Sequence, residues 1–359
     1  FDLANKFRQI GPGKFQNLKK RKEYHLKLLS EHEKNINDAP IVEFNSNTNV
    51  SKHKFTRIGS GSLGGKARGL AFATNQLKNS NIIKKYPNIK IRVPNVTVIG
   101  TDEFDRFMNE NKLWDIAIKE KSNKRLVKYF LDGKLDKNLI KNLKKLLSNI
   151  SYPIAIRSSS LSEDSQYQSL SGMYSTFMLP NSSKSIKERL DQVCEAIKRI
   201  YASTFFVAPK SLIDKVSQRM EEEKMGIIIM EMIGQRHNER FYPTFSGVAQ
   251  SYNYYPTSYI KRSDGVAYLA LGLGKTVVDG KKSLRFCPKY PKLIHQFYSI
   301  KSTVDSSQHE FYALNINKGK NPIQKGESFN LRLYNLDVAE KDSQLKYVGS
   351  VIPKNEQIV

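Results

Sequence analysis

The segment Arg57-Ile58-Gly59-Ser60-Gly61-Ser62-Leu63-Gly64-Gly65-Lys66-Ala67 constrains this chain more than any other. A short strand pattern, Lys54 to Ile58, leads into it. A helical pattern, Lys66 to Lys78, leaves it with Ala, Leu and Phe on one side. Glycines at such a turn let backbone amides approach phosphate oxygens, and a helix N-terminus favours the negative charge. Gly59, Gly61 and Gly64 match a dinucleotide fingerprint formally. That fingerprint also needs an acid about 20 residues on, where this chain has Lys78, Asn79, Ser80 and Asn81. A Walker A loop needs Gly where Ser60 stands and Ser or Thr where Ala67 stands. Two possibilities remain: a phosphate loop of another class with Lys66 supplying charge, or a plain glycine turn beside a surface lysine.

Composition narrows the setting. The chain has 359 residues, 39% hydrophobic and 26% charged, as in a globular protein of about two domains. No apolar run approaches the ~20 residues of a membrane span, and the nearest candidate, Met225 to Gly234, carries Glu231. Cys194 and Cys287 cannot form a disulfide framework, so a reducing, cytoplasmic setting is expected. No signal peptide is visible, and a start on Phe1 suggests a fragment.

Fifty-nine Lys and Arg against 34 Asp and Glu give 59 − 34 = +25. Such charge invites a polyanion. Residues 112–150 hold eleven of the cations against four acids, interleaved with Leu126, Phe130, Leu139, Leu143 and Leu147 at helical spacing. These are expected to be amphipathic helices with solvated basic faces. No zinc spacing, ribonucleoprotein aromatics or helix-turn-helix pattern is present, so nucleic acid is not the expected partner.

Along the chain, residues 1–52 read as a helical lead-in and linker. Strands are expected at 89–99, 153–156, 227–233, 245–252, 266–272, 277–278, 330–334 and 345–351. Helices are expected at 102–109 with Thr101 as N-cap, at 185–203, 211–222 and 291–303. The mixture is α+β, without the alternation of a doubly wound sheet.

A second constellation runs from Ala155-Ile156-Arg157-Ser158-Ser159-Ser160 through Glu163-Asp164 to Ser171-Gly172-Met173-Tyr174-Ser175-Thr176-Phe177. An arginine leaving a buried strand into hydroxyls suits an anion, because guanidinium grips phosphate bidentately. Glu163 and Asp164 could bind a metal, cap a helix or pair with the arginine.

Together these segments resemble the ATP-binding domain of the phosphoenolpyruvate synthase and pyruvate phosphate dikinase family. Gly61 to Leu70 resembles its opening motif, and Arg92-Val93-Pro94 through Phe107 its next segment. Ile154 to Phe177 resembles its most diagnostic stretch. Ile200 to Ser203, Ile227 to Ile233, Ser246 to Ala249 and Leu271 to Gly280 follow in the same order, covering residues ~55–290. The resemblance implies an ATP-grasp-like fold of two subdomains, 53–224 and an apparently incomplete 225–359. It implies ATP and Mg²⁺ as cofactors, with Lys66 and Arg157 on the phosphates. Gly61, Gly64, Gly65, Ser158, Gly172, Met173 and Thr176 would line the phosphate loops. Glu231, Met232 and Ile233 would hold adenine through their backbone, with Ser246 and Gly247 near the cleft. The family passes the β-phosphoryl group of ATP to a histidine, releasing AMP and phosphate, and then to pyruvate. A homodimer of the full-length enzyme would fit it.

The sequence departs from that pattern in places. Lys275 stands where the family usually has Glu after Gly-Leu-Gly. The acidic metal pair, the Thr-Ser-His motif and the pyruvate-binding barrel are not found before Val359, and are expected on parts beyond it. None of the six histidines has the phosphohistidine context. Other possibilities are a phosphotransferase acting on a glucan or small molecule, a basic nucleic-acid-binding protein, and a degenerate scaffolding module.

Overall fold

The computed structural model describes residues 20, 22–24, 26, 41–44, 54–160, 172–215, 219–316 and 330–348. The lead-in helix expected near 18–33 and the expected linker therefore fall mostly outside the described residues. The fold is mixed α+β, with three sheets among the described residues.

The chain divides into two compact units. The first comprises Phe1–Ser151, Ala155–Thr176 and Ile186–Glu231, and the second Tyr152–Ile154, Phe177–Ser185 and Met232–Val359. β1 (Val42–Glu43), β2 (Phe55–Ile58), β3 (Val96–Ile99), β4 (Ile154–Ser160), β5 (Thr176–Leu179) and β6 (Met225–Glu231) form one sheet in the order β1-β2-β3-β6-β4-β5. β2 and β3 pair in parallel, Phe55 opposite Val96 and Ile58 opposite Ile99. β6 runs antiparallel to β3, with Ile227 opposite Ile99. All four residues of β3 are buried, and its one polar side chain, Thr97, shares a hydrogen bond of 2.8 Å with the Thr56 hydroxyl on β2. The strand starts at Val96, not at residue 89, because Pro94 has no N–H to give to a ladder.

Helices cover this sheet: α1 (Gly64–Asn79), α2 (Ile82–Lys85), α3 (Thr101–Glu110), α4 (Trp114–Lys119), α5 (Asn123–Asp132), α6 (Lys137–Asn149), α7 (Ile186–Ser203) and α8 (Val207–Lys215). The basic segment 112–150 forms α4 to α6. Leu126, Phe130, Leu139, Leu143 and Leu147 are fully buried while Lys124, Lys128 and Lys144 stay in water. Phe104 lies edge-on to Tyr201 at 5.0 Å and to Trp114 at 6.0 Å, so an aromatic cluster joins α3, α4 and α7. Edge-to-face rings add to the gain from burial.

The second unit holds two antiparallel sheets. β7 (Gln235–His237), β8 (Arg240–Tyr242), β12 (Glu310–Asn315) and β13 (Leu331–Asn335) take the order β13-β12-β8-β7. β9 (Phe245–Gln250), β10 (Val266–Leu271) and β11 (Leu284–Phe286) take the order β11-β10-β9. Among the described residues, four helices accompany them: α9 (Lys275–Val278), α10 (Ile300–Ser306), α11 (Leu336–Lys341) and α12 (Leu345–Val348).

Two expected strands are helical turns instead. At 277–278, the Val277 and Val278 amides both bond the Gly274 carbonyl at 3.1 Å, closing a turn before a strand can extend. At 345–351, the described residues Leu345–Val348 are helical, because the chain turns back after α11 and the Tyr347 amide bonds the Gln344 carbonyl at 3.1 Å.

Candidate functional site

The glycine turn sits between β2 and α1 and is held by the start of α3. Asp102 Oδ2 accepts the Ser60 amide at 2.8 Å and the Ser60 hydroxyl at 3.0 Å. Thr101 Oγ1 accepts the Ser62 amide at 2.9 Å, and the Thr101 amide donates to the Ser62 carbonyl at 3.0 Å. Thr101 is thus the first residue of α3, with Gly100 as the N-cap. Its hydroxyl fastens the glycine turn and does not cap its own helix.

Ser159, on β4, fastens the other side. Its hydroxyl accepts the Ala67 amide at 3.1 Å and donates to the Leu63 carbonyl at 2.8 Å. Gly64 has φ +75°, and a Cβ there would lie 1.9 Å from the Ser159 carbonyl oxygen. Only glycine permits both that backbone and that approach. Protein acceptors therefore already hold the amides of Ser60, Ser62, Gly64 and Ala67, the Gly64 amide through Ser62 Oγ at 3.2 Å. Gly61 is exposed. Gly65 and Lys66, both half-buried, stand in the first turn of α1, where amides have no acceptor within the helix.

The expected hydroxyl-rich loop begins later than its sequence suggests, because Arg157 to Ser160 belong to β4. Strand alternation puts Arg157 on the same face as Ser159, and Ser158 and Ser160 on the other. All three serines are fully buried. The half-buried Arg157 keeps its Nε out of water with no hydrogen-bond partner among the described residues. Glu163, Asp164 and Ser169 to Ser171 lie outside the described residues. Gly172 is exposed and Met173 half-buried. Beyond them, the Tyr174 hydroxyl donates to Glu223 Oε1 at 2.8 Å and the Ser175 amide to Ser203 Oγ at 3.1 Å. Thr176, half-buried, opens β5.

Glu231 ends β6. Arg92 donates to its two oxygens at 2.8 and 2.9 Å, and the Asn95 amide to Oε2 at 3.1 Å. Burial alone would raise this carboxyl. The Arg92 and Asn95 hydrogen bonds and nearby positive charge outweigh it and hold the group below the ordinary range. The Glu231 amide bonds the Asn95 carbonyl at 2.9 Å.

In the second unit, the Met232 amide bonds the Pro153 carbonyl at 2.9 Å, and Ile233 is exposed. The Ser246 hydroxyl donates to the Gly272 carbonyl. A Cβ at Gly247 would lie 2.1 Å from the Tyr268 carbonyl, so the approach of β9 to β10 requires glycine. Lys275 pairs with Asp279 at 3.0 Å, and its ammonium lies 5.6 Å from the Tyr312 ring. Among the described residues, no group of three His, Cys, Asp or Glu side chains could hold a metal ion. No described helix is long and apolar enough to cross a membrane.

Thr101, Asp102, Ser159 and Arg92 do the local positioning, and the sequence did not single out their roles. The signal for Asp102 was faint: an acid in the first turn of the helix that follows the glycine turn.

The family model described as pyruvate phosphate dikinase, AMP/ATP-binding domain, matches residues 60–347. An uncharacterized phosphotransferase, YvkC, of Bacillus subtilis (strain 168) is 29% identical over 203 residues. That is 56% of this chain, and the match spans 22% of the relative's length.

Proposed function

This chain belongs to the pyruvate phosphate dikinase family by its AMP/ATP-binding domain, and on that basis we propose that it is the ATP-binding part of a phosphoenolpyruvate synthase-like phosphotransferase. The fold it would use is ATP-grasp-like. Lys66 and Arg157 would neutralise the triphosphate, and the Gly65 amide in the first turn of α1 would add a donor to the same anion. The stretch Glu231 to Ile233 would receive adenine, with the Arg92–Glu231 pair fixing where it leaves the sheet. Gly172, Met173 and Thr176 would border the phosphates. Mg²⁺ would arrive with the nucleotide. The complete reaction would convert ATP, pyruvate and water to AMP, phosphoenolpyruvate and phosphate through a phosphohistidine outside this chain.

One observation carries the reading most directly. Among the described residues, the buried Nε of Arg157 has no hydrogen-bond partner, and Arg157 shares the face of β4 with Ser159, which is bonded to the first turn of α1. A buried guanidinium nitrogen is costly to leave unbonded, and an anion at that face satisfies it.

Calorimetric titration with MgATP tests the assignment. Lys66→Ala and Arg157→Ala are each expected to weaken binding by about 1.5–3 kcal/mol, the size of a charge-assisted hydrogen bond. Affinities equal to wild type would remove both residues from the site. The relative is described as a phosphotransferase with no acceptor specified. A second reading keeps the same ATP chemistry with a glucan or small molecule as acceptor.

A further inference from the structure

A surface outside all these motifs is assembled in the second unit only when the chain folds. The loop that follows β9 is fastened to β11. Asn253, buried, accepts the Tyr255 amide at 3.1 Å and Arg285 Nη2 at 3.2 Å, and its own amide donates to the Arg262 carbonyl at 2.8 Å. Arg285 Nη2 also donates to the Tyr255 carbonyl at 2.7 Å.

The loop so fixed turns its rings outward. Tyr254, Tyr255 and Tyr259 are 67%, 80% and 62% exposed. Tyr252 lies edge-on to Tyr254 at 4.9 Å, and Tyr259 edge-on to Tyr290 at 5.1 Å. A single exposed tyrosine needs no explanation. Three on one braced loop, two of them paired edge-on with further rings, do.

Cations line the same ridge. Arg262 donates to the Tyr252 hydroxyl at 3.4 Å, and Lys289 lies 5.3 Å from the Tyr290 ring. Segments 250–265 and 281–292 carry seven Lys and Arg and one acid, Asp264, which Lys289 pairs with at 2.9 Å.

We propose that this ridge binds single-stranded nucleic acid, with bases stacked on Tyr254, Tyr255 and Tyr259 and phosphates paired with Lys261, Arg262 and their neighbours. Stacking needs a face of a free base, which a duplex hides, and the charge excess selects an anionic strand over a neutral glycan. The chain lacks a recognised nucleic-acid module, but this arrangement needs none, since aromatic platforms flanked by cations serve without sequence readout. The proposal uses none of the residues assigned to ATP.

Fluorescence anisotropy with a labelled 16-nucleotide oligouridylate tests it, with a 16-base-pair RNA duplex and heparin as comparisons. The single strand is expected to bind more tightly than the duplex, and less tightly as salt rises. Replacing both rings (Tyr254→Ala with Tyr255→Ala) is expected to weaken binding about tenfold or more without changing the salt slope. Tyr254→Phe with Tyr255→Phe, which keeps the rings, is expected to bind like wild type. Arg262→Ala is expected to lower the slope by about one. Wild-type affinity in the alanine pair, or equal binding of duplex and heparin whatever stands at 254 and 255, would overturn the proposal and leave only diffuse charge.

Discussion

Ser159 shows how much of this site rests on one hydroxyl. It accepts the Ala67 amide and donates to the Leu63 carbonyl, so it joins β4 to the first turn of α1 from a fully buried position. Removing it strands a buried donor and a buried acceptor, which costs more than a lost hydrogen bond in water. Ser159→Ala is therefore expected to lower stability by about 1–3 kcal/mol in urea unfolding. Ser148, which only returns a bond to the Lys144 carbonyl on an exposed helix face, is the control. Its alanine variant is expected to stay within about 0.5 kcal/mol of wild type. In the sequence, three adjacent serines looked alike. Strand alternation distinguishes them, and that becomes visible only once Arg157 to Ser160 belong to β4.

At the scale of elements, the hairpin of β7 and β8 is tied to the turn after α11. Asp342 accepts Arg240 at 2.7 and 3.0 Å and the Tyr242 hydroxyl at 2.8 Å. Burial would raise the Asp342 carboxyl, but the Arg240 and Tyr242 hydrogen bonds and the Arg240 charge hold it below the ordinary value of 3.8. The stabilisation is thus complete above that ordinary value and is lost as pH falls through the depressed one. Asp342→Asn is expected to cost about 1.5–3 kcal/mol at neutral pH. Melting temperatures from pH 7 down to pH 3 are expected to show a shallower acid slope for Asp342→Asn than for wild type. Parallel slopes would show that the pair does not drive the acid response.

Which elements the sequence could reveal follows from how their patterns are read. The β2–α1 turn and the basic helices were legible because glycine placement and a 3.6-residue apolar period are local signals. β7, β8 and β11 are three residues each, too short for a period, and exist because partners pair with them. The valines of α9 suggested a strand, but their amides bond the Gly274 carbonyl three and four residues back and close a helical turn instead. The Thr101 and Asp102 contacts to residues 60–62 join positions about 40 apart in sequence, a pairing that no local pattern encodes.

For the whole molecule, the charge of +25 divides into three uses. Much of it lies on the solvated faces of α4 to α6. Two cations, Lys66 and Arg157, are the ones proposed to meet the triphosphate. A further group is gathered on the tyrosine ridge of the second unit. The family match covers residues 60–347 and so reaches into both units. The ridge was invisible in the sequence because Asn253 and Arg285, which build it, are separated by 32 positions.

The central claim is that the glycine turn, the start of α1 and the Arg157 strand receive ATP together. Hydrogen exchange of the chain with and without MgATP tests it most directly. Slowed exchange is predicted at the amides of Gly65 and Lys66 and in β4 from Arg157 to Ser160, with Lys66→Ala and Arg157→Ala abolishing the effect at the same ATP concentration. Unchanged exchange in those segments under saturating ATP, or protection confined to other segments, would contradict the account.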